Sequence, residues 1–219
     1  MKRSLKHHTE KGTARRDFFF ARKRKPLLTI IPVVLLLSGA YLLFLLWSPA
    51  VQSPGAAKKW NAPVPHVKAE LTENRIYIPK LKLNLAFKTG DATVLRDNLW
   101  HRYPERGDPE KGGNFILAGH RFEIGLTPGE TKRKSPLYHI DALQQGDKIY
   151  ADFNGKRYMY EVADRIKVKP DQVSIEAPSA EPKMTLYSCT FQGSADGREV
   201  VVAHLAQKDI DPMTSLASE

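Results

Sequence analysis

Lys148-Ile149-Tyr150-Ala151-Asp152-Phe153, then Asn154-Gly155, then Lys156-Arg157-Tyr158-Met159-Tyr160-Glu161-Val162 is the stretch whose reading decides the fold. Aromatic and branched side chains on both sides favour extended backbone, and Asn-Gly suits a two-residue turn in which both central residues need positive φ. The stretch predicts a hairpin of two strands, residues 148–153 and 156–168. Upstream, Arg75-Ile76-Tyr77-Ile78 and Leu81-Lys82-Leu83-Asn84-Leu85 alternate apolar and polar residues with period two, interrupted by Pro79. Residues 92–103 read as a short helix capped by Asp91, with Leu95 and Leu99 four apart. Residues 114–118 read as a buried strand, and 136–143 as a helical turn. Downstream, Met184-Thr185-Leu186-Tyr187-Ser188-Cys189 and residues 198–205 complete the set. About seven or eight short strands with little helix predict a mainly β fold, a small closed β-barrel rather than a parallel sheet.

The formal charge of +10 sits almost wholly at the N-terminus, where residues 1–26 hold ten Lys/Arg against Glu10 and Asp17, a net of +8. The remainder is nearly neutral, which removes most support for nucleic-acid binding. Residues 27–47 follow, 21 residues without a charge. At 1.5 Å per residue they span roughly 30 Å of hydrocarbon. Arg22-Lys23-Arg24-Lys25 should stay cytoplasmic by the positive-inside rule, and Trp47 suits the far interface. A cleavable signal peptide is the competing reading, but its apolar region runs only about 7–15 residues. The expected organisation is a basic cytoplasmic arm (1–26), a single-pass transmembrane anchor (27–47), a Pro-rich stalk (48–73), an extracellular β-barrel (74–206) and a polar tail (207–219).

Cys189 is the only cysteine, so it has no internal disulfide partner in a chain that reads as exported. Such a thiol is either an inert small apolar side chain or a nucleophile. Two other segments bear on the choice: Ile116-Leu117-Ala118-Gly119-His120-Arg121 and Arg198-Glu199-Val200-Val201-Val202. Peptide-bond exchange needs a nucleophile that is also a good leaving group, as a thiolate is. It needs an acid–base group that titrates near neutrality, for which histidine is suited, and a cationic donor where an oxyanion develops, for which arginine is suited. Cys189, His120 and Arg198 supply these types. His204 is the rival base, because it shares strand parity with Arg198, but six residues of strand put it about 20 Å away. No histidine–carboxylate set has zinc-ligand spacing with the one cysteine, and Ser188 lacks the surroundings of a serine nucleophile.

The Ala-Gly-His segment, the Thr-Leu-Tyr-Ser-Cys strand end and the downstream Arg198, in this order and spacing, closely resemble the sortases, membrane-anchored cysteine transpeptidases of bacterial surfaces. Pro136-Leu137-Tyr138-His139-Ile140-Asp141-Ala142-Leu143 also resembles the family's segment before its hairpin. The resemblance spans residues 74–206 and departs in two places: Ser188 where Thr is commoner, and a longer, more basic stretch at 121–135. It implies a sortase-like barrel with Cys189, His120 and Arg198 catalytic, and Thr185, Leu186 and Ser188 in contact with substrate. It also implies exported protein substrates carrying a C-terminal sorting signal, an amine acceptor such as a cell-wall precursor, and no cofactor or metal in the bond exchange. Specificity is expected from the loop at 170–183. Pilin-polymerising sortases commonly carry a second C-terminal span and an Asp-Pro-aromatic lid. Here Trp60 follows Lys59 and no second span is seen, which favours the anchoring type. The remaining alternative is a catalytically inactive membrane-tethered binding module.

Overall fold

The computed structural model describes residues 27–51, 73–208 and 210 of the 219-residue chain. The basic arm expected at 1–26, most of the stalk expected at 48–73 and nearly all of the tail expected at 207–219 lie outside the described residues. Helix α1 (Leu27–Val51) contains the window Ile30–Trp47 with mean hydropathy 2.4, long and apolar enough to cross a membrane. Most of its described large apolar side chains, Leu35, Leu36 and Leu37 among them, are exposed, consistent with an anchor whose solvent is lipid.

Nine strands follow: β1 (Arg75–Ile78), β2 (Leu83–Lys88), β3 (Leu99–Arg102), β4 (Gly107–Asp108), β5 (Gly112–Ala118), β6 (Lys148–Phe153), β7 (Lys156–Val168), β8 (Lys183–Thr190) and β9 (Gly193–Gln207). They are ordered β3-β2-β1-β6-β7-β9-β8-β5-β4, and an added β3–β5 pairing closes eight of them into a barrel with β4 as a short flap. Closure leaves no long unpaired edge. The β6–β7 hairpin has the predicted bounds, with Asn154 and Gly155 at φ 51° and 77° as the Asn-Gly turn requires.

The helix expected at 92–103 is corrected. Asp91 does cap a helical turn, accepting from Thr93 N, but this is a 3₁₀ turn, Ala92–Arg96, that ends before β3. Leu99 and His101 then face the barrel interior while Trp100 and Arg102 face outward, a period of two. The four-residue spacing of Leu95 and Leu99 joined two different elements: Leu95 packs on an outer cluster, and Leu99 in the core. Likewise the strand expected at 81–85 starts two residues later, after the 3₁₀ turn Pro79–Leu81 that Pro79 initiates.

The barrel interior is filled by Ile76, Leu99, Phe115, Leu117, Ile149, Leu186 and Val201 among others, all fully buried. His101 is packed edge-on to Phe115 with centroids 4.9 Å apart, and its Nε2 lies 3.1 Å from the Gly107 carbonyl. Burial holds its pKa below the ordinary 6.5, outweighing the Gly107 hydrogen bond and the charges of Asp108 and Glu105, which act the other way. The unfolded chain therefore takes up this proton first. The stability contribution is complete above about pH 6.5 and is lost as pH falls below that through the folded value. Thermal unfolding of the full chain in detergent should fall in midpoint between pH 7.5 and 5, and His101→Gln should flatten that fall; equal slopes would contradict this account.

Candidate active site

Strand parity decides which side chains reach the site. On β5, Phe115 and Leu117 point into the core while Ile116 and Ala118 point outward; on β8, Met184 and Leu186 point inward and Tyr187 outward; on β9, Val201 and Ala203 point inward and Val200 outward. Continuing the alternation puts His120, Cys189 and Arg198 on the outer face. The register then brings them to one end of it. Cys189 is the direct cross-strand partner of Arg198 in the antiparallel β8–β9 pair. Parallel β5 and β8 are matched Ala118 to Tyr187, and Gly119 N still donates to Tyr187 O at 3.1 Å, so His120 leaves the sheet level with Cys189. All three are half-buried, and the Cys189 thiol is free.

Two glycines permit this arrangement. A Cβ on Gly119 would lie 2.6 Å from Leu99 Cδ2 and 2.8 Å from Leu137 Cδ1, so the residue before His120 must be bare. The need is close packing, since Gly119 has no positive φ. A Cβ on Gly197, just before Arg198, would meet the Val168 carbonyl at 2.6 Å.

Arg198 Nη1 donates to the carbonyls of Ser194 (2.7 Å) and Gly197 (2.9 Å), which fixes the guanidinium through neutral acceptors. The carboxylates nearest in sequence are engaged elsewhere: Glu199 with Arg165 at 3.5 Å, and Asp196 with Lys167 at 3.3 Å. No described carboxylate neutralises Arg198, so its charge is available to an anion. His120 Nε2 lies 3.1 Å from Glu123 Oε2.

Arg198 also lines a cavity of 260 Å³ with Arg102, Tyr103, Val173, Glu176 and Tyr187. Its cover comes from the loop between β7 and β8, where the 3₁₀ turn Val173–Glu176 sets Ile175 against Ile116, Tyr187 and Val200. Asn114 holds that loop, donating to the carbonyls of Ile175 (3.0 Å) and Ala177 (2.8 Å). In the floor Arg102 Nη1 donates to Glu176 Oε1 and to Tyr187 Oη, both at 2.6 Å, and the Tyr187 hydroxyl donates to Glu176. Burial, reinforced by that bond to Glu176, pushes the Tyr187 phenol up, so it remains a neutral hydroxyl.

The residues expected to touch substrate fare differently. Leu186 is in the core and Ser188 is buried with its hydroxyl on the Cys189 carbonyl (3.1 Å), so neither side chain faces the cleft. Thr185 faces outward but is buried, donating to Asn114 Oδ1 at 2.7 Å. His204 is exposed and pairs in register with Glu161 and Lys183, at the far end of β9 from Cys189. Arg102, Glu176, Tyr187 and Glu123 were not singled out by sequence; strand parity with Cys189 is the one signal that could have found Tyr187. Among the described residues, no cluster of three or more His, Cys, Asp or Glu is placed to hold a metal ion.

The family model described as a sortase domain matches residues 76–206, more than half of the chain. The chain therefore belongs to the sortase family. It is 28% identical over 149 residues to sortase SrtE1 of Streptomyces coelicolor, covering 61% of this chain and 40% of that protein. It is 30% identical over 92 residues to sortase A of Streptococcus agalactiae, covering 42% of this chain and 34% of that protein. The chain thus matches less than half the length of these relatives. Among solved structures it is similar to the Clostridium perfringens sortase D5 transpeptidase, with TM-score 0.52 and 26% identity over 62% of this chain and 79% of that one.

The packing at Gly119 makes a specific prediction. Gly119→Ala should cost about 1–3 kcal/mol by overpacking, and Gly119→Val more. Adding Leu137→Ala should recover part of the Gly119→Ala loss, because the two sites share one contact. Chemical denaturation of the four proteins in such a cycle measures this coupling, and strict additivity would refute it.

Proposed function

We propose that the chain is a membrane-anchored transpeptidase that cleaves a C-terminal sorting signal on exported proteins and transfers the new acyl end to an amine at the cell surface. The pairing of Cys189 with Arg198 across β8–β9, with His120 level with Cys189 just past the end of β5, carries this reading. Cys189 thiolate attacks the scissile carbonyl, and Arg198 stabilises the oxyanion of the tetrahedral adduct. His120 protonates the leaving amine as the C–N bond breaks, which leaves a thioester on Cys189. An incoming amine then attacks the thioester, gives up a proton to His120 and expels the thiolate. Arg198 is suited to its role because its own hydrogen bonds go to neutral carbonyls. The cavity beside it, roofed by the β7–β8 loop, would receive the signal.

The basic cluster at Arg22-Lys23-Arg24-Lys25 supports a cytoplasmic N-terminus, with α1 as the anchor and the barrel outside. Anchoring of proteins to a cell-wall precursor, rather than pilin polymerisation, is favoured by Trp60 following Lys59 where an Asp-Pro-aromatic lid would stand.

Purified full-length protein incubated with a peptide library should yield peptides thioester-linked to Cys189, and Cys189→Ala should yield none. His120→Ala and Arg198→Ala should each lower turnover by about 10²–10³. Arg198→Lys, which keeps charge but loses the planar fork, should not restore full activity. Full transfer by Cys189→Ala would overturn the mechanism. Labelling by a methanethiosulfonate reagent separates enzyme from binding module: a catalytic thiol reacts, and does so less in folded His120→Ala, whereas a structural one resists in both.

A further inference from the structure

The stretch at 121–135, where the chain departs from the family pattern, bears a carboxylate on the imidazole. Glu123 Oε2 lies 3.1 Å from His120 Nε2, while Glu123 Oε1 lies 3.2 Å from Lys134 Nζ. The Glu123 backbone is fixed as well: its N–H donates to Ser135 Oγ at 3.0 Å, and Ser135 Oγ donates back to the Glu123 carbonyl at 3.2 Å. Ser135 is itself buried, so this anchor is rigid. Lys134 ends helix α2 (Pro128–Lys134), which Thr127 caps by accepting from Glu130 N at 3.1 Å. Lys134 also reaches Glu130 at 3.4 Å, and Glu130 accepts from Leu126 N at 2.8 Å. The carboxylate on His120 is therefore held by Lys134, and its backbone by Ser135.

Resting on the reading of His120 as the acid–base group, we infer that Glu123 is its positioning residue, binding Nε2–H and leaving Nδ1 as the nitrogen that exchanges protons with substrate. Nδ1 has no partner among the described residues, so the division of labour follows from the geometry. In the first half-reaction imidazolium gives its Nδ1 proton to the departing amine nitrogen as the C–N bond breaks, and ends neutral with hydrogen on Nε2. In the second, Nδ1 takes a proton from the attacking amine as the Cys189–acyl bond breaks, which restores imidazolium and thiolate. Glu123 keeps its contact with Nε2 throughout and transfers no proton, and its position stops the ring from turning.

The test uses the full-length chain in detergent micelles, with ¹⁵N-labelled histidine. In the wild type, the neutral His120 ring should show hydrogen on Nε2. In Glu123→Leu the two tautomers should mix, whereas in Glu123→Gln, whose carbonyl still accepts, the Nε2–H form should persist. Steady-state cleavage should show kcat lowered at least tenfold in Glu123→Leu with KM within about twofold, still short of removing the base itself. Glu123→Asp should recover part of that loss. Lys134→Met, which leaves the Ser135 anchor intact, should lower kcat less than Glu123→Leu. A merely structural role would lower the melting temperature of Glu123→Leu while leaving tautomer and kcat unchanged, and that result overturns the inference, as does equal loss in Lys134→Met. The tautomer measurement needs no substrate, so it decides this point even if no thioester forms and the transpeptidase reading fails.

Discussion

Cross-strand pairing of Cys189 with Arg198 is the constraint on which the rest of the site depends. In an antiparallel pair, opposite residues project to the same face with Cβ atoms about 4.5–5.5 Å apart, so one register places sulfur and guanidinium together. A slip of one residue would turn Cys189 into the core and Leu186 to the surface. The register is secured at both ends of the contact. The interior set Met184, Leu186, Val201 and Ala203 would be exposed by any shift, and Gly197 lets β9 approach the β7 carbonyl of Val168. Stability of the barrel and alignment of the site are therefore one requirement.

Two arginines line the same cavity and are prepared for opposite tasks. Arg102 is committed: it is ion-paired to Glu176, hydrogen-bonded to Tyr187 and stacked over Trp100 and Tyr103. That network fastens the covering loop to the barrel wall, with Asn114 holding the same loop from beneath. Arg198 is held only by carbonyl oxygens, so its charge is oriented but not neutralised. Both are half-buried, so the difference between them lies in their partners: a carboxylate commits Arg102 to the loop, whereas Arg198 meets only neutral carbonyls.

The basic run Lys132-Arg133-Lys134 finds a local explanation once α2 is known. It forms the last turn of a short helix, where cations meet the carbonyl end, and Glu130 sits in the first turn. Lys134 bridges Glu123 and Glu130, and Arg133 lies 3.6 Å from Asp97 across the surface. The loop's charge thus serves internal pairing beside His120.

Much was legible along the chain because the signals were local. The β6–β7 hairpin followed from one Asn-Gly turn between runs of aromatic and branched residues, and β1, β5, β8 and β9 from apolar periodicity. Cys189, His120 and Arg198 were legible as residue types in a recognisable order. The helix expected at 92–103 failed because Leu95 and Leu99 imitate a helical period while belonging to an outer turn and an inner strand, a distinction made only by what each packs against. Leu186 and Ser188 are buried on the core side because an odd separation from Cys189 along a strand, three residues and one, means the opposite face. The turn, the periodicities and the identity and order of Cys189, His120 and Arg198 were determined by the sequence alone, since each depends on near neighbours. Closure through β3–β5, the convergence of His120 on Cys189, the Arg102–Glu176–Tyr187 floor and the Glu123 contact were decided only by tertiary structure. They join residues whose distance apart depends on every strand pairing between them.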